Sequence, residues 1–474
     1  MASSDTAYTA EYGDYYPKEL DKLLKASQKA YENRSSRPDY PEKTVPEGWP
    51  AQLPPSPMVW DSETFPKDRS HMIDLSPEEV AEVEKALKFV EDLGLSHSAI
   101  TKSTFSLPKL GPRLDAACKS VHNGLGICFV NGIPSHKFTA DQNVYILLGI
   151  SSYFGESRGR QRDDGAKLIH IFHSLTRGFD ENLSPIYNNH AQVFHNDMVT
   201  DILCMYCIRT ASHGGSNSYA SIQRIYNHLA EHNPEMIHTL AAPDWPFDTY
   251  GYNPPYQTRP LLFYSRPGEQ DEEDEQSDEE NTIDEDDDGS STPRAATFDP
   301  GLPETDSEEN ITPKIGRILA SFSPRQLSGS KVHPRPSDIP ALTERQTLAL
   351  EEIERLANKY CLTETLSSGS MLFLNNLAMI HNRTSYTEEA GKPVEEHRHL
   401  IRMFLRNDEL AWKTPKGLWL DWSRVFGEFE GENEERWVAD KVKDYKDQQR
   451  GLTTVKAGGE DSSGLEVPGL YKLD

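Results

Sequence analysis

The chain has 474 residues, 36% hydrophobic content and a formal charge of −27, enough for one large domain or two ordinary ones. No stretch approaches the roughly 18–20 apolar residues a membrane helix needs, and no basic stripe is present to follow a nucleic-acid backbone. The acidity is local: residues 269–288 hold 14 acidic residues and no basic one, and setting them aside leaves −13.

That run reads as a solvated, disordered loop. The five cysteines, Cys118, Cys128, Cys204, Cys207 and Cys361, are odd in number and scattered, which argues against a disulfide framework. Cys204 and Cys207 form a lone C-x-x-C and read as core residues, since a zinc site wants a second pair or histidines at matching spacing. Met1 to Tyr16 is polar and Tyr-rich, without the charged-then-apolar order of a secretory signal. A cytoplasmic location is expected.

In chain order, residues 1–57 form a loosely packed arm, with one short helix around Lys18–Tyr31 and a proline-marked linker from Pro46 to Pro57. Ser76-Pro77-Glu78-Glu79 is a helix start, with Ser as cap, Pro at the first position and acids in the first turn. This helix runs to about Leu93 before Gly94, and a second covers Gly111–Asn123. Gly124–Asn131, sequence GLGICFVN, is a short apolar strand. A helix over Thr139–Tyr153, strands at Leu168–Phe172 and Val199–Arg209, and a helix over Ile222–Asn233 stopped by Pro234 follow.

Pro260–Tyr264 is another strand, after which the acidic break runs to about Thr312, too long for an ordinary connection. Leu342–Tyr360 is a helix capped by Thr343, and Met371–Leu374 and His399–Arg406 are strands. The organisation is an arm (1–57), one domain (58–412) with an insertion at 266–312, and an irregular tail (413–474). Many short strands with flanking helices disfavour a doubly wound parallel sheet and suit an α+β arrangement, a sandwich or jelly roll decorated with helices.

Phe194-His195-Asn196-Asp197 carries the first chemical signal. If it is extended, His195 and Asp197 share a face and can hold one metal together. A third ligand must come from elsewhere. His381 is the best candidate, while His190, His213, His228, His397 and His399 stay open. Two histidines and a carboxylate leave three positions free, the arrangement suited to non-haem Fe(II) and oxygen.

Such iron needs a reductant, and a 2-oxo acid can chelate it and give two electrons by decarboxylation. Its far carboxylate needs a fixed cation, for which arginine is suited. Arg398, Arg402 and Arg406 fall every fourth residue, on one face of a strand. The ordinary reading is a solvated basic edge strand. The apolar residues at 400, 401 and 403–405 point instead to burial, and a buried arginine calls for an anionic partner.

Taken together, the pieces resemble the TauD/TfdA dioxygenase family in its fungal-type members. In family order they are GLGICFVNGIP, FHND, Gly214-Gly215-Ser216 after a Cys-rich strand, Tyr226-Asn227, PLLFY, LTERQTLALEEIE, FLNNLAMIHNRTSY and RHLIRMFLR, spanning about 100–410. The resemblance implies a double-stranded β-helix, with Fe(II) held by His195, Asp197 and His381. It assigns Arg398 to the 2-oxoglutarate tail, Arg402 to an anionic group of the substrate, and Asn217 to a position where a hydroxyl residue often helps hold the cosubstrate. The implied reaction oxidises a C–H bond of a small organic substrate with O₂, releasing succinate and CO₂.

Asn196 stands where Thr is usual and is expected to point away, Ser368-Gly369-Ser370 replaces a Pro-Gly-Asp turn, and the acidic insertion is foreign to the family. Two alternatives use the same residues: a jelly roll that binds without catalysis, and a zinc hydrolase with metal-bound water. Tyr187, Tyr250, Tyr252 and Tyr256 are candidates for an aromatic pocket, core or surface tyrosines being the plainer reading.

Overall fold

The computed structural model describes residues 43–162, 164–173, 185–197, 200–249, 254–266, 316–329, 334–427, 435–441 and 443–444. The expected helix near Lys18–Tyr31 and the acidic run lie outside them. Two sheets form the framework. In chain order their strands are β1 (Met72–Asp74), β2 (Ile127–Asn131), β3 (Ser157–Arg158), β4 (Ile169–Phe172), β5 (Gln192–His195) and β6 (Ile202–Arg209). There follow β7 (Asn217–Ser221), β8 (Leu362–Glu364), β9 (Met371–Asn375), β10 (Met379–Arg383) and β11 (His399–Arg406). The larger sheet runs β1-β2-β9-β6-β11-β3, with β4 also paired to β11, and the smaller runs β8-β7-β10-β5.

The helices are α1 (Pro77–Asp92), α2 (Gly111–Asn123), α3 (Ala140–Ser151), α4 (Ile222–His232), α5 (Pro234–Ala241), α6 (Pro324–Ser328), α7 (Glu344–Tyr360) and α8 (Trp419–Phe426). Local chemistry fixes where they start. Ser76, Thr139 and Thr343 each close a capping box, with Glu79, Gln142 and Gln346 respectively, which satisfies donors the first turn would otherwise leave open. Pro234 ends α4 and occupies the first turn of α5, where a missing N–H costs nothing. No helix among the described residues is long and apolar enough to cross a membrane.

Period-two alternation along the strands sorts the side chains into three layers. On β11, Ile401, Met403 and Leu405 pack with residues of α1, α2 and α3, while Leu400 and Phe404 enter the interior between the sheets. β6 follows the same rule: Cys204 and Tyr206 face the helices, and Leu203, Met205 and Cys207 face inward. The C-x-x-C pair is thus split between two layers, and all five cysteines are free. The outer face of the smaller sheet buries Phe194, Ala220 and Ile380 against α4, α5 and α7. This α+β layering, two facing sheets with helices outside both, is the jelly-roll core expected. Gly369 makes the turn into β9 at φ +86°, where a Cβ would strike the Ile133 carbonyl, so only glycine fits.

Of the tail beyond Trp412, expected to be irregular, the described residues 416–426 are helical and built into the core. Leu418, Trp422 and Val425 are buried in the interior cluster, and Asp421 makes a buried ion pair with Arg259. Further on, Asp444 meets Arg162 Nη1 at 3.0 Å, both side chains almost wholly enclosed. The sequence signal was weak because α8 is short and Trp-rich. Replacing Trp422 with Ala should cost about 3–5 kcal/mol of unfolding free energy, measured by urea denaturation. A loss below about 0.5 kcal/mol, the range of surface substitutions, would show that the segment is not part of the core.

Candidate metal centre

β5 and β10 are neighbours, and their register sets His381 directly opposite His195. Cross-strand partners project to the same face, and the two ring centroids are 4.4 Å apart. On its other side β10 pairs His381 with Tyr219 of β7, a member of the interior cluster. Both imidazoles therefore point between the sheets. The residues that alternate with them, Phe194 and Ile380, sit in the outer layer.

The extended run assumed for 194–197 stops at His195. Asp197 is brought to the same place by a side-chain clamp. Asn376 accepts from the Asp197 N–H at 3.0 Å and donates to the Asp197 and Thr200 carbonyls. Asn196 points away, as expected, but is far from idle. Its amide donates to Met379 O at 2.8 Å and accepts from Phe322 N at 2.7 Å, tying the loop to β10.

Arg402 enters the interior between Leu400 and Phe404. Its Nη1 donates to Asp197 Oδ1 at 2.7 Å and its Nε to Gln161 Oε1 at 2.9 Å. Gln161, wholly buried, also donates to the carbonyls of Arg402 and Lys167. β11 is a central strand, with β6 on one side and β3 and β4 on the other, so the solvated-edge reading of the arginines fails. Arg406, at the strand's end, turns to Asp201 at 2.8 Å. Arg398, just before β11, is buried, with its guanidinium 4.9 Å from the Tyr386 ring centroid. Its start is pinned by Glu388 Oε1, which accepts the Arg398 N–H at 2.7 Å. Gly215, at φ +74°, passes so close that a Cβ would stand 3.3 Å from Arg398 Nε.

Burial is the largest single influence on Asp197 and opposes its ionisation, but the surrounding groups, Arg402 foremost, together outweigh it and hold the carboxyl below the usual range. Burial and the neighbouring His195 bring His381 down to about 3; burial also lowers His195. Both imidazoles are thus neutral near pH 7, with lone pairs to offer. His195 Nδ1 lies 2.8 Å from the Val193 carbonyl. That contact makes Nδ1 the protonated nitrogen and leaves Nε2 as the lone-pair donor.

Among the described residues, no group of three or more His, Cys, Asp or Glu side chains is placed so that it could hold a metal ion as it stands. The cause is local: Asp197 Oδ1 is taken by Arg402, and Oδ2 lies 3.9 Å from His381 Nε2. The donor set still fits a divalent cation. Asp197 Oδ2 is buried without a hydrogen-bond partner, and 3.9 Å is shorter than two metal–ligand bonds of about 2.0–2.2 Å end to end.

The other histidines have other occupations. His228 meets the Tyr360 hydroxyl, His397 the Lys392 carbonyl, and His399 stacks its Nε2 against His170 Nδ1 at 2.8 Å; His190 and His213 are exposed. Asn217 lies on the inner face of β7. Its amide nitrogen donates to Asn382 O at 2.9 Å, and the buried atom left over is Oδ1, an acceptor. Tyr187 lies in the interior cluster, Tyr256 is on a separate ribbon with Trp245–Asp248, and Tyr250 and Tyr252 lie outside the described residues. Gln161, Asn376 and Tyr219 were missed by the sequence reading, since none carries a motif that reports its partner.

Residues 90–404 match the family described as taurine catabolism dioxygenase TauD, TfdA family. A taurine hydroxylase-like protein of Stachybotrys chartarum is 30% identical over 78% of this chain and 84% of its own length. FR-33289 synthase of Streptomyces rubellomurinus is 20% identical over 71% and 85%. Among solved structures, an asparagine oxygenase complex with Fe(II), hydroxyasparagine and succinate aligns at TM-score 0.49 and 14% identity, covering 71% of this chain and 93% of that one. The match over two thirds of the sequence and the Stachybotrys relative establish that the chain belongs to the TauD/TfdA family and is an iron(II)- and 2-oxoglutarate-dependent dioxygenase.

Proposed function

We propose that His195, Asp197 and His381 hold the iron, that Arg398 anchors the far carboxylate of 2-oxoglutarate, and that the enzyme hydroxylates a small, anionic molecule of secondary metabolism. The observation that carries this reading is the cross-strand pairing of His195 with His381, whose Nε2 stands 3.9 Å from an Asp197 carboxylate oxygen that has no hydrogen-bond partner, with Arg402 bonded to the other oxygen. When bound, the iron and 2-oxoglutarate together activate O₂ and oxidise a C–H bond, the oxo acid leaving as succinate and carbon dioxide.

The chain's own residues supply the rest. His195 and His381 present lone pairs because burial keeps them neutral. Arg402 keeps Asp197 ionised and fixes its orientation, and Gln161 fixes Arg402. One Arg402 donor, Nη2, is buried without an acceptor and is the hydrogen available to an anionic substrate group. The enclosing apolar residues exclude water from the reacting centre. The relatives support a natural-product setting, one being a taurine hydroxylase-like protein of a fungus and the other a Streptomyces synthase. Five free thiols fit the reducing cytoplasm.

His381→Ala should lower substrate-dependent succinate formation by more than about 100-fold, beyond the 10–100-fold cost of losing a residue that merely supports a metal site; full turnover in that variant would remove His381 from the centre. The Asp197–Arg402 pair gives a second test in metal-free protein. Asp197→Ala strands a buried guanidinium and should cost about 3–5 kcal/mol in chemical denaturation. Adding Arg402→Met should restore part of the loss, and strictly additive losses would mean the pair is not coupled.

A further inference from the structure

A second concave site lies apart from the metal centre. It is a groove of about 140 Å³ between the segment Leu53–Val59, the end of α2 and Trp412, and neither the proposed metal ligands nor Arg398 or Arg402 line it. Most of its wall falls outside residues 90–404, the stretch that matches the family. The wall is largely apolar and is fixed in place. Ser221 Oγ donates to the Met58 carbonyl at 2.5 Å, the Leu53 N–H donates to Asn227 Oδ1 at 2.8 Å, and Trp412 Nε1 donates to the His122 carbonyl at 3.0 Å.

Two polar side chains line the groove with capacity to spare. Arg317 lays its guanidinium over the Trp412 ring, 4.6 Å from the centroid. Its Nη2 donates to Asn123 Oδ1 at 2.8 Å, and among the described residues no carboxylate meets it. In a chain with 76 acidic residues to 49 basic ones, a half-buried arginine matched only by a neutral amide is unusual. A guanidinium carries five donors, so this one keeps donors for an anion. His122 has Nδ1 2.9 Å from the Cys118 carbonyl, which places the proton there, and its Nε2 is buried without a partner. Burial brings the ring down to about 4 and keeps it neutral. The groove therefore presents a cation and a lone pair, and a lone pair repels a second carboxylate. Apolar cavities of about 150 Å³ take a benzene-sized guest.

We propose that this groove is a binding site for a small organic monocarboxylate, with the carboxylate on Arg317 and a compact apolar body against Trp412 and Met58. Such a pocket has the usual make-up of a small-molecule site, apolar walls with a few fixed polar groups.

The test uses the full-length protein loaded with Fe(II) and 2-oxoglutarate under anaerobic conditions. It is titrated calorimetrically with benzoate, with benzyl alcohol, which lacks the charge, and with succinate, which adds a second one. Benzoate should bind saturably, and the other two at least about 10-fold more weakly, the lower end of what a hydrogen bond to a charged group contributes. Arg317→Leu, which keeps an apolar cover on Trp412, should weaken benzoate about 10–100-fold with 2-oxoglutarate affinity unchanged, and Arg402→Leu should leave benzoate binding intact. Absence of saturable benzoate binding overturns the proposal, as does equal binding of benzyl alcohol or succinate. Undiminished affinity in Arg317→Leu also overturns it, and so does a loss confined to Arg402→Leu, which would place benzoate at the metal centre. If Arg317→Leu loses 2-oxoglutarate as well, Arg317→Lys decides: benzoate binding retained with the charge supports the site, and binding lost overturns it.

Discussion

A guanidinium inside a β-sandwich is tolerable only with a fixed counter-charge, and much of this molecule is arranged around that requirement. Arg402 is carried inward by the alternation of β11, between two apolar neighbours that share its face. Asp197 answers it at 2.7 Å from a loop outside the strands. To keep the carboxylate there, the loop is fastened by Asn196 and Asn376 to the chain around β10. The two asparagines, Gln161 and the ion pair form one connected polar network inside the sandwich. Such a network specifies geometry because every partial version of it is costly.

The same enclosure sets the chemistry. Desolvation pushes imidazoles toward neutrality and carboxylates toward protonation. For His195 and His381 that is what a metal site wants. For Asp197 it is the wrong direction, and the groups around the carboxylate, Arg402 foremost, together reverse it. The same burial thus suits all three proposed ligands only because Arg402 and its neighbours stand beside the one it would disable.

The legible parts of the sequence were those with a local cause. Capped helices announced themselves through Ser76 and Thr343, and apolar strands such as Met371–Leu374 through composition. β7 and β10, sequences NSYAS and MIHNR, were not seen as strands. Their inner faces carry the polar residues of the site, so the hydrophobic alternation that marks a strand is missing where it matters most. His381 was singled out by its surroundings, but its register opposite His195 is a tertiary fact. The partner of Asn217 is a tertiary fact too: a motif fixes its position, and the bond from its amide to the Asn382 carbonyl depends on the neighbouring strand. Gln161 contacts Arg402 across 241 positions, a pairing no local pattern can report.

That separation has a temporal side. Asp197 and its counter-ion are 205 residues apart, and β11 is the central strand to which β3, β4 and β6 are all bonded. During synthesis the ligand loop leaves the ribosome long before the strand that neutralises it. At about 5–20 residues per second, the half-made sandwich waits roughly 10–40 s with an open sheet edge and an unanswered aspartate. Early segments can form helices in that interval, but the interior cannot close. This enzyme is therefore expected to assemble its centre late and all at once, and to need shielding of the exposed edge of β6 until β11 arrives.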